Sequence, residues 1–343
     1  MVRKIEIVSL SRGILGEAFV RHELELGLKR LEEMGVEVVF SPNALKGLDY
    51  ISAHPEARAD DLISAFQDDS VDMILCAIGG DDTYRLLPYL FSDHQLERAV
   101  KDKIFLGYSD TTMNHLMLHK AGVKTFYGQA FLSDVCELSP SMLPYTEKYF
   151  RELLETGRIK EVRPADVWYD PRTDFSLSAI GSTMPSHPAE GLVLLQGKSV
   201  FSGKILGGCI DTLYDIFDGT RYDDSPSLCA RYNLFPSVDE WKGRILLLET
   251  SEEKATPEKF ERMVRALKQT GIFPVLSGVL MGRSIDGEYE NEYRRIITEV
   301  IDDPSLPIVA GLSVGHSTPR CIIPFGVMAE VNADEGVIGF RYV

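Results

Sequence analysis

The sequence predicts an α/β fold: an N-terminal, doubly wound, mostly parallel sheet followed by a second α/β unit rich in β-strand. Two observations carry this. Through roughly the first 130 residues, short aliphatic and β-branched runs alternate with segments of helical period, the pattern of parallel strands joined by crossover helices. A stretch at 159–208, broken by prolines and glycines, then interrupts the alternation before it resumes and ends in closely spaced strands.

In chain order, KIEIVSL reads as the first strand, followed by a helix through Leu31, the strand VEVVFS, a helix at ADDLISAF and the strand DMILCAIGG. A helix over DTYRLLPYL, the strand KIFLGYS, the helix TTMNHLMLHKAG and the strand KTFYG complete the first winding. A helix at YTEKYFRELLETG closes an N-terminal domain of residues 1–158. The C-terminal domain, 159–343, opens with an irregular connection over 159–208 that contains the short run GLVLLQG. It continues with the strand GRILLLET, a helix opened by Thr256 and Pro257, the strand SGVLMG, the helix YRRIITEVI and a β-rich end from Ile308 to Val343. No internal repeat or low-complexity segment breaks this order.

Composition narrows the function classes. Hydrophobic residues at 44% and charged residues at 26% are ordinary globular values, which argues against disorder. With 36 basic and 52 acidic residues the formal charge is −16, a surface that repels phosphate backbones and anionic lipids, so nucleic acid and membrane are not expected partners. No apolar run approaches the ~18 residues of a membrane span. The five cysteines, Cys76, Cys136, Cys209, Cys229 and Cys321, are scattered without a CxxC pair, so neither a disulfide framework nor a zinc cluster is expected and a reducing cytoplasm is.

Three residues at strand ends are candidates for chemistry. Ser109 in GYSDTT ends one strand and precedes a helix, where a tight turn projects a hydroxyl beside free helix N–H groups. Ser109 or Asp110 can equally serve there as a helix cap, and Thr111 stands where the hydrolase elbow GxSxG has glycine. Glu249 ends RILLLE, where a carboxylate either meets a cation or begins a solvated loop, and His316 follows a strand in the glycine-rich turn VGHSTPRCIIPFG. Ser, Glu, His is a workable order for a triad. His115 and His119 stand i, i+4 without an HExxH pattern and read as a partly exposed helix face. The turn AIGGDD, with Gly79 and Gly80, can offer N–H groups to an oxyanion or to a phosphate, so a nucleotide or sugar kinase is a competing reading, although no basic phosphate clamp accompanies it. A catalytically silent small-molecule binding protein is the third.

Read together, IGGDDTYRLLPYL, GYSDTT, GKILGGCIDTLYDIFDGT, GRILLLETSEE with SGVLMGR, and GLSVGHSTPRCIIPFG resemble the LD-carboxypeptidase family of serine peptidases, which includes the microcin C self-immunity proteins. The resemblance runs almost end to end. It implies Ser109 as nucleophile, His316 as base and Glu249 as the group that orients the base, with an oxyanion hole from the N–H groups of Gly80 and Asp110. It implies two domains with the active site in the cleft between them, a homodimer, no metal or organic cofactor, and a small substrate. That substrate is either a murein peptide with a terminal D-residue or a peptidyl or aminoacyl nucleotide. Gly79, Asp81, Trp168 and Gly208 are the expected substrate contacts, Trp168 as a mid-chain tryptophan that stacks on a base or anchors the loop. The chain departs from the family at Cys209, where GGN is common, and in lacking a Pro-Ser turn after the first strand.

Overall fold

The computed structural model describes residues 1–342. Five strands wind the first sheet: β1 (Lys4–Val8), β2 (Glu37–Phe40), β3 (Met73–Cys76), β4 (Ile104–Gly107) and β5 (Thr125–Tyr127). All their pairings with one another are parallel, and β1, β3 and β4 are buried almost throughout, as strands covered by helices on both faces must be. That double burial is why they read as continuous apolar runs rather than alternating ones.

Eleven further strands follow: β6 (Glu161–Val162), β7 (Val167–Tyr169), β8 (Ser186–Pro188), β9 (Val193–Gln196), β10 (Val200–Cys209), β11 (Ile245–Glu249), β12 (Gly278–Gly282), β13 (Ile308–Leu312), β14 (Ile323–Phe325), β15 (Met328–Asn332) and β16 (Val337–Arg341). Eight of them form a mixed sheet in the order β6-β16-β15-β10-β11-β12-β13-β9, and β7 and β8 pair as a separate ribbon. β10 turns this sheet's corner. Its first half alternates exposed and buried residues and pairs antiparallel with β15, whereas Ile205–Cys209 is wholly buried and pairs parallel with β11.

The strand β14 joins the other sheet, pairing antiparallel with β5 to give the order β14-β5-β4-β3-β1-β2. The ten residues between β13 and β14, which include His316, therefore cross from the second sheet to the first. This crossing positions the site.

Most elements lie where their patterns place them, but the segment 159–208, read as an irregular connection, holds β6 to β9 and nearly all of β10, a central strand whose glycines Gly203, Gly207 and Gly208 masked its strand pattern. The helix Pro257–Gln269 starts at Thr256, whose hydroxyl accepts from the Lys259 N–H at 3.3 Å, and buries Phe260, Met263, Val264 and Leu267 on one face. The expected helix over DTYRLLPYL is instead a 3₁₀ turn, Thr83–Leu86, running into the short helix Leu87–Phe91, because Pro88 has no N–H to continue an α-helical ladder. His115 is fully buried rather than on an exposed face, bonded through Nδ1 to Thr125 Oγ1 at 2.8 Å and through Nε2 to the Gly107 carbonyl at 3.1 Å, and burial pushes its pKa down to about 3. The β-rich end is seen from Ile308 to Arg341, and Val343 lies outside the described residues. Among the described residues no helix is long and apolar enough to cross a membrane, and all five cysteines are free and buried.

Candidate active site

β4 stops at Gly107, and the chain turns sharply at Ser109, whose φ of 66° puts a non-glycine residue in the left-handed region. Such a conformation costs about 1–3 kcal/mol and persists where the surroundings fix it. Here the Ser109 N–H donates to Tyr127 Oη at 3.3 Å, and Thr111 Oγ1 donates to the Tyr108 carbonyl at 2.7 Å, which gives the threonine a task at the position glycine holds in the hydrolase elbow. The turn is a 3₁₀ segment, Ser109–Thr111, that leads into the helix Thr112–Lys120, so the Asp110 N–H stands at a helix entry without an intrahelical partner.

Ser109 Oγ lies 3.0 Å from His316 Nε2. On the far side of the ring, His316 Nδ1 donates to Glu249 Oε2 at 2.7 Å, and the His316 backbone N–H donates to the same oxygen at 3.1 Å. The last residue of β11, Glu249 is buried, and its other oxygen accepts from Tyr127 Oη at 2.6 Å. The residue before the histidine has to be glycine: Gly315 has a φ of +76°, and a Cβ there would sit 2.2 Å from the Glu249 carboxyl carbon.

Two loops at the C-terminal edge of the first sheet are tied to the Ser109 turn. A Cβ on Gly79 would fall 2.5 Å from Ser109 Cβ and 2.7 Å from its Oγ, so the Gly-Gly turn packs directly on the serine. Asp110 turns its carboxylate inward, accepting from Ser11 Oγ at 2.5 Å, from the Thr83 N–H at 3.0 Å and from Thr83 Oγ1. Burial pushes its pKa up, and those hydrogen bonds oppose the shift. Arg58, fully buried, donates to Asp82 at 2.6 Å and to the carbonyls of Leu10 and Ser11, both at 3.2 Å. The loops after β1, β3 and β4 are thereby one polar assembly.

Above this assembly opens a cavity of about 390 Å³ lined by Ser109, His316, Gly79, Gly80, Asp81, Arg12 and Glu252, among others. Burial by itself lowers the pKa of His316, but the charge and hydrogen bond of Glu249, with a further hydrogen bond to Glu252, outweigh it and hold the imidazole well above its ordinary value. Cys209, Glu249 and His316 present atoms within 4.8 Å of one another, a spacing that can hold a metal. In this structure Glu249 is engaged with both His316 and Tyr127.

The structure thus brings Ser109, Glu249 and His316 into one hydrogen-bonded chain and places Gly79, Gly80 and Asp81 on the cavity wall. Gly208 lies instead against Thr112 and Tyr127, where a Cβ would meet Thr112 Oγ1 at 2.5 Å. Trp168 is outside the lining, its ring stacked on His187 at 4.3 Å with the Arg283 guanidinium 4.4 Å from the ring centroid. Sequence reasoning missed Tyr127, Arg58 and Glu252. KTFYG reads as strand and nothing in it marks a hydroxyl aimed at a carboxylate, whereas Glu252 carried a signal as the third residue after Glu249 on a loop at a strand's C-terminal end.

Residues 5–128 match the LD-carboxypeptidase N-terminal domain, and residues 202–331 match the LD-carboxypeptidase C-terminal domain. An MccF-like protein from Streptococcus pneumoniae, solved as a crystal structure in complex with AMP, is 60% identical, with a TM-score of 0.99 over 100% of this chain and 99% of that one. The microcin C7 self-immunity protein MccF of Escherichia coli is 25% identical over 315 residues, 90% of this chain and 85% of that protein. A Bacillus subtilis protein named "Probable murein peptide carboxypeptidase" is 25% identical over 319 residues, covering 91% and 85%.

Proposed function

The chain belongs to the LD-carboxypeptidase family of serine-type carboxypeptidases, and from that premise we propose that it hydrolyses the acyl–nitrogen bond of an aminoacyl or peptidyl nucleotide through an acyl-enzyme on Ser109. The observation that carries the chemistry is the chain from Ser109 Oγ to His316 Nε2 at 3.0 Å and from His316 Nδ1 to Glu249 at 2.7 Å. Substrate class follows the 60% identical relative, whose complex holds AMP. A kinase reading of the GGDD turn falls with the family.

In this reading His316 Nε2 takes the proton of Ser109 as the hydroxyl attacks the acyl carbon, and Glu249 keeps the proton on Nδ1 and stabilises the imidazolium. The imidazolium then passes its Nε2 proton to the leaving nitrogen. Water, activated by the same nitrogen, frees the acyl group. Backbone N–H groups of Gly80 and Asp110 receive the oxyanion, each worth about 10²- to 10³-fold in rate. Gly79 and Asp81 contact the substrate, and the scheme needs no metal or organic cofactor. A division into domains 1–158 and 159–343, assembly as a homodimer and a cytoplasmic location complete the proposal, with sedimentation as the check on assembly.

The test is hydrolysis by wild type and Ser109→Ala of an aminoacyl sulfamoyl adenosine and, separately, of murein tetrapeptide, followed by mass spectrometry. Release of the amino acid by wild type alone supports the reading. Loss of D-alanine from the tetrapeptide, with the nucleotide untouched, moves the substrate to cell-wall peptides. Failure of a fluorophosphonate probe to label Ser109 overturns the nucleophile itself.

A further inference from the structure

His316 Nε2 has a second neighbour. Glu252 Oε2 lies 2.9 Å from it, on the atom that must accept the serine proton and later hand it to the leaving nitrogen. Two acids near it in the chain or on the facing loop have basic partners: Glu253 is paired with Arg221 and Lys259, and Asp286 with Lys254. Among the described residues Glu252 has only His316 as an ion-pair partner, and its side chain is 66% exposed on the cavity wall.

The contact is incompatible with the working state of the base. With Nδ1 protonated toward Glu249, a neutral ring has a lone pair on Nε2, which accepts from Ser109 and repels a carboxylate. A carboxylate at 2.9 Å instead selects the imidazolium, which cannot take the serine proton. Glu252 must therefore leave Nε2 before Ser109 attacks. A carboxylate gives up one cation most readily for another; the Arg221 guanidinium, whose charge acts on Glu252, is committed to Glu253 and Asp215, and those of Arg172 and Arg320 on the cavity wall to Glu137 and Asp134, which leaves Arg12 as the lining guanidinium without an ion pair among the described residues.

The position indicates where the replacement cation comes from. An acyl carbon in attack position sits roughly 3–3.5 Å from Ser109 Oγ, and the α-nitrogen of an aminoacyl group is two bonds from that carbon, within reach of a carboxylate beside Nε2. We propose that Glu252 is a specificity-determining residue that caps His316 until substrate enters and then receives the free α-ammonium of the substrate's acyl residue. As it moves, His316 releases the Nε2 proton to water, so the carboxylate exchanges imidazolium for ammonium and charge balances. The inference rests on the acyl-nucleotide reading above and narrows it to substrates with an unblocked amino group.

The groups facing His316 that bear on its titration are Glu249 from β11, Glu252 from the following loop, Tyr108 beside the nucleophile, Cys209 from the end of β10, and Arg320, whose Nη2 donates to the His316 carbonyl at 3.3 Å. Of these only Glu252 is solvent-exposed, so Glu252→Gln changes one of them without opening the core.

The experiment compares aspartyl sulfamoyl adenosine with its Nα-acetyl derivative, for wild type and Glu252→Gln, alongside the pH dependence of fluorophosphonate labelling. Wild type is expected to favour the free amine by roughly 10- to 100-fold in kcat/KM, the size of a charge-assisted contact. Glu252→Gln is expected to lose that preference through KM on the free amine, and to label at lower pH than wild type. An unchanged preference in the variant, or equal rates on the two compounds in wild type, overturns the assignment, as does an unmoved labelling profile. If wild type labels but cuts neither compound, the ammonium receptor falls while the nucleophile stands. No labelling at all would overturn the reading on which it rests.

Discussion

Removing one oxygen tests whether the site is organised from Glu249 outward. Tyr127→Phe keeps the ring, which is fully buried and stacked on Phe325 at 5.3 Å, so no cavity opens. It deletes the hydroxyl that donates to Glu249 Oε1 at 2.6 Å and accepts from the Ser109 N–H at 3.3 Å. Both protein donors that remain on Glu249 are on Oε2, from the His316 N–H and Nδ1, so Oε1 becomes a buried charged acceptor with no protein donor. A hydrogen bond to a charged group contributes about 1.5–3 kcal/mol, and leaving its acceptor unpaired exposes the full desolvation cost, so a loss near 2–3 kcal/mol is expected. Denaturant unfolding should show a lower midpoint with the slope unchanged, and kcat/KM should fall by roughly tenfold as Glu249 loses its aim. In a Glu249→Gln background the same change should cost less than half as much, because the acceptor is no longer charged. A loss below about 0.5 kcal/mol in the native background, or an equal loss in both, would refute the reasoning.

Three other outcomes follow from the same geometry. Gly79→Ala should cost about 1–3 kcal/mol in unfolding and lower kcat by about 10² or more, because the methyl group would fall 2.5 Å from Ser109 Cβ and 2.7 Å from its Oγ; normal stability and turnover would show that the turn is not pressed against Ser109. Arg58→Met leaves Asp82 without its buried partner and frees the carbonyls of Leu10 and Ser11, and should cost about 3–5 kcal/mol in thermal and denaturant unfolding; a cost below 1 kcal/mol would mean that water replaces the guanidinium at no expense. Asp215 is pushed up to about 7, chiefly by burial, with Arg221 opposing. Its folded form holds a proton that the unfolded chain loses near the ordinary carboxylate value, so its contribution to stability should fall as pH rises from about 4 to 7; Asp215→Asn should flatten that part of the stability profile, and an unchanged slope would show that Asp215 ionises in the fold.

Much of this was legible in the residues. Strand runs such as DMILC and RILLLE are apolar because both faces of a parallel sheet are covered, and Thr256-Pro257 opens its helix because the capping hydroxyl and the fixed φ of proline are local effects. Ser109, Glu249 and His316 could be picked out because each ends or follows a strand at the edge where such sheets gather their loops. What failed was of another kind. His115 looked like surface on a helix of mixed composition, but β5 and β14 close over it, and Tyr127 could not be told from any strand tyrosine.

The sequence by itself determined the fold class, the order of the elements outside 159–208 and the three residues that meet, since these depend on local periodicity, turn chemistry and the order of motifs along the chain. Only the tertiary structure decided that β14 leaves one sheet for the other and carries His316 to Ser109, that Tyr127 bridges the serine turn and Glu249, and that Glu252 rests on His316. Those contacts join residues 18 to 207 positions apart in the chain or depend on where a short loop points, and no periodicity records such distances. Packing sets them, because each buried polar group must find its partner before the two sheets can close.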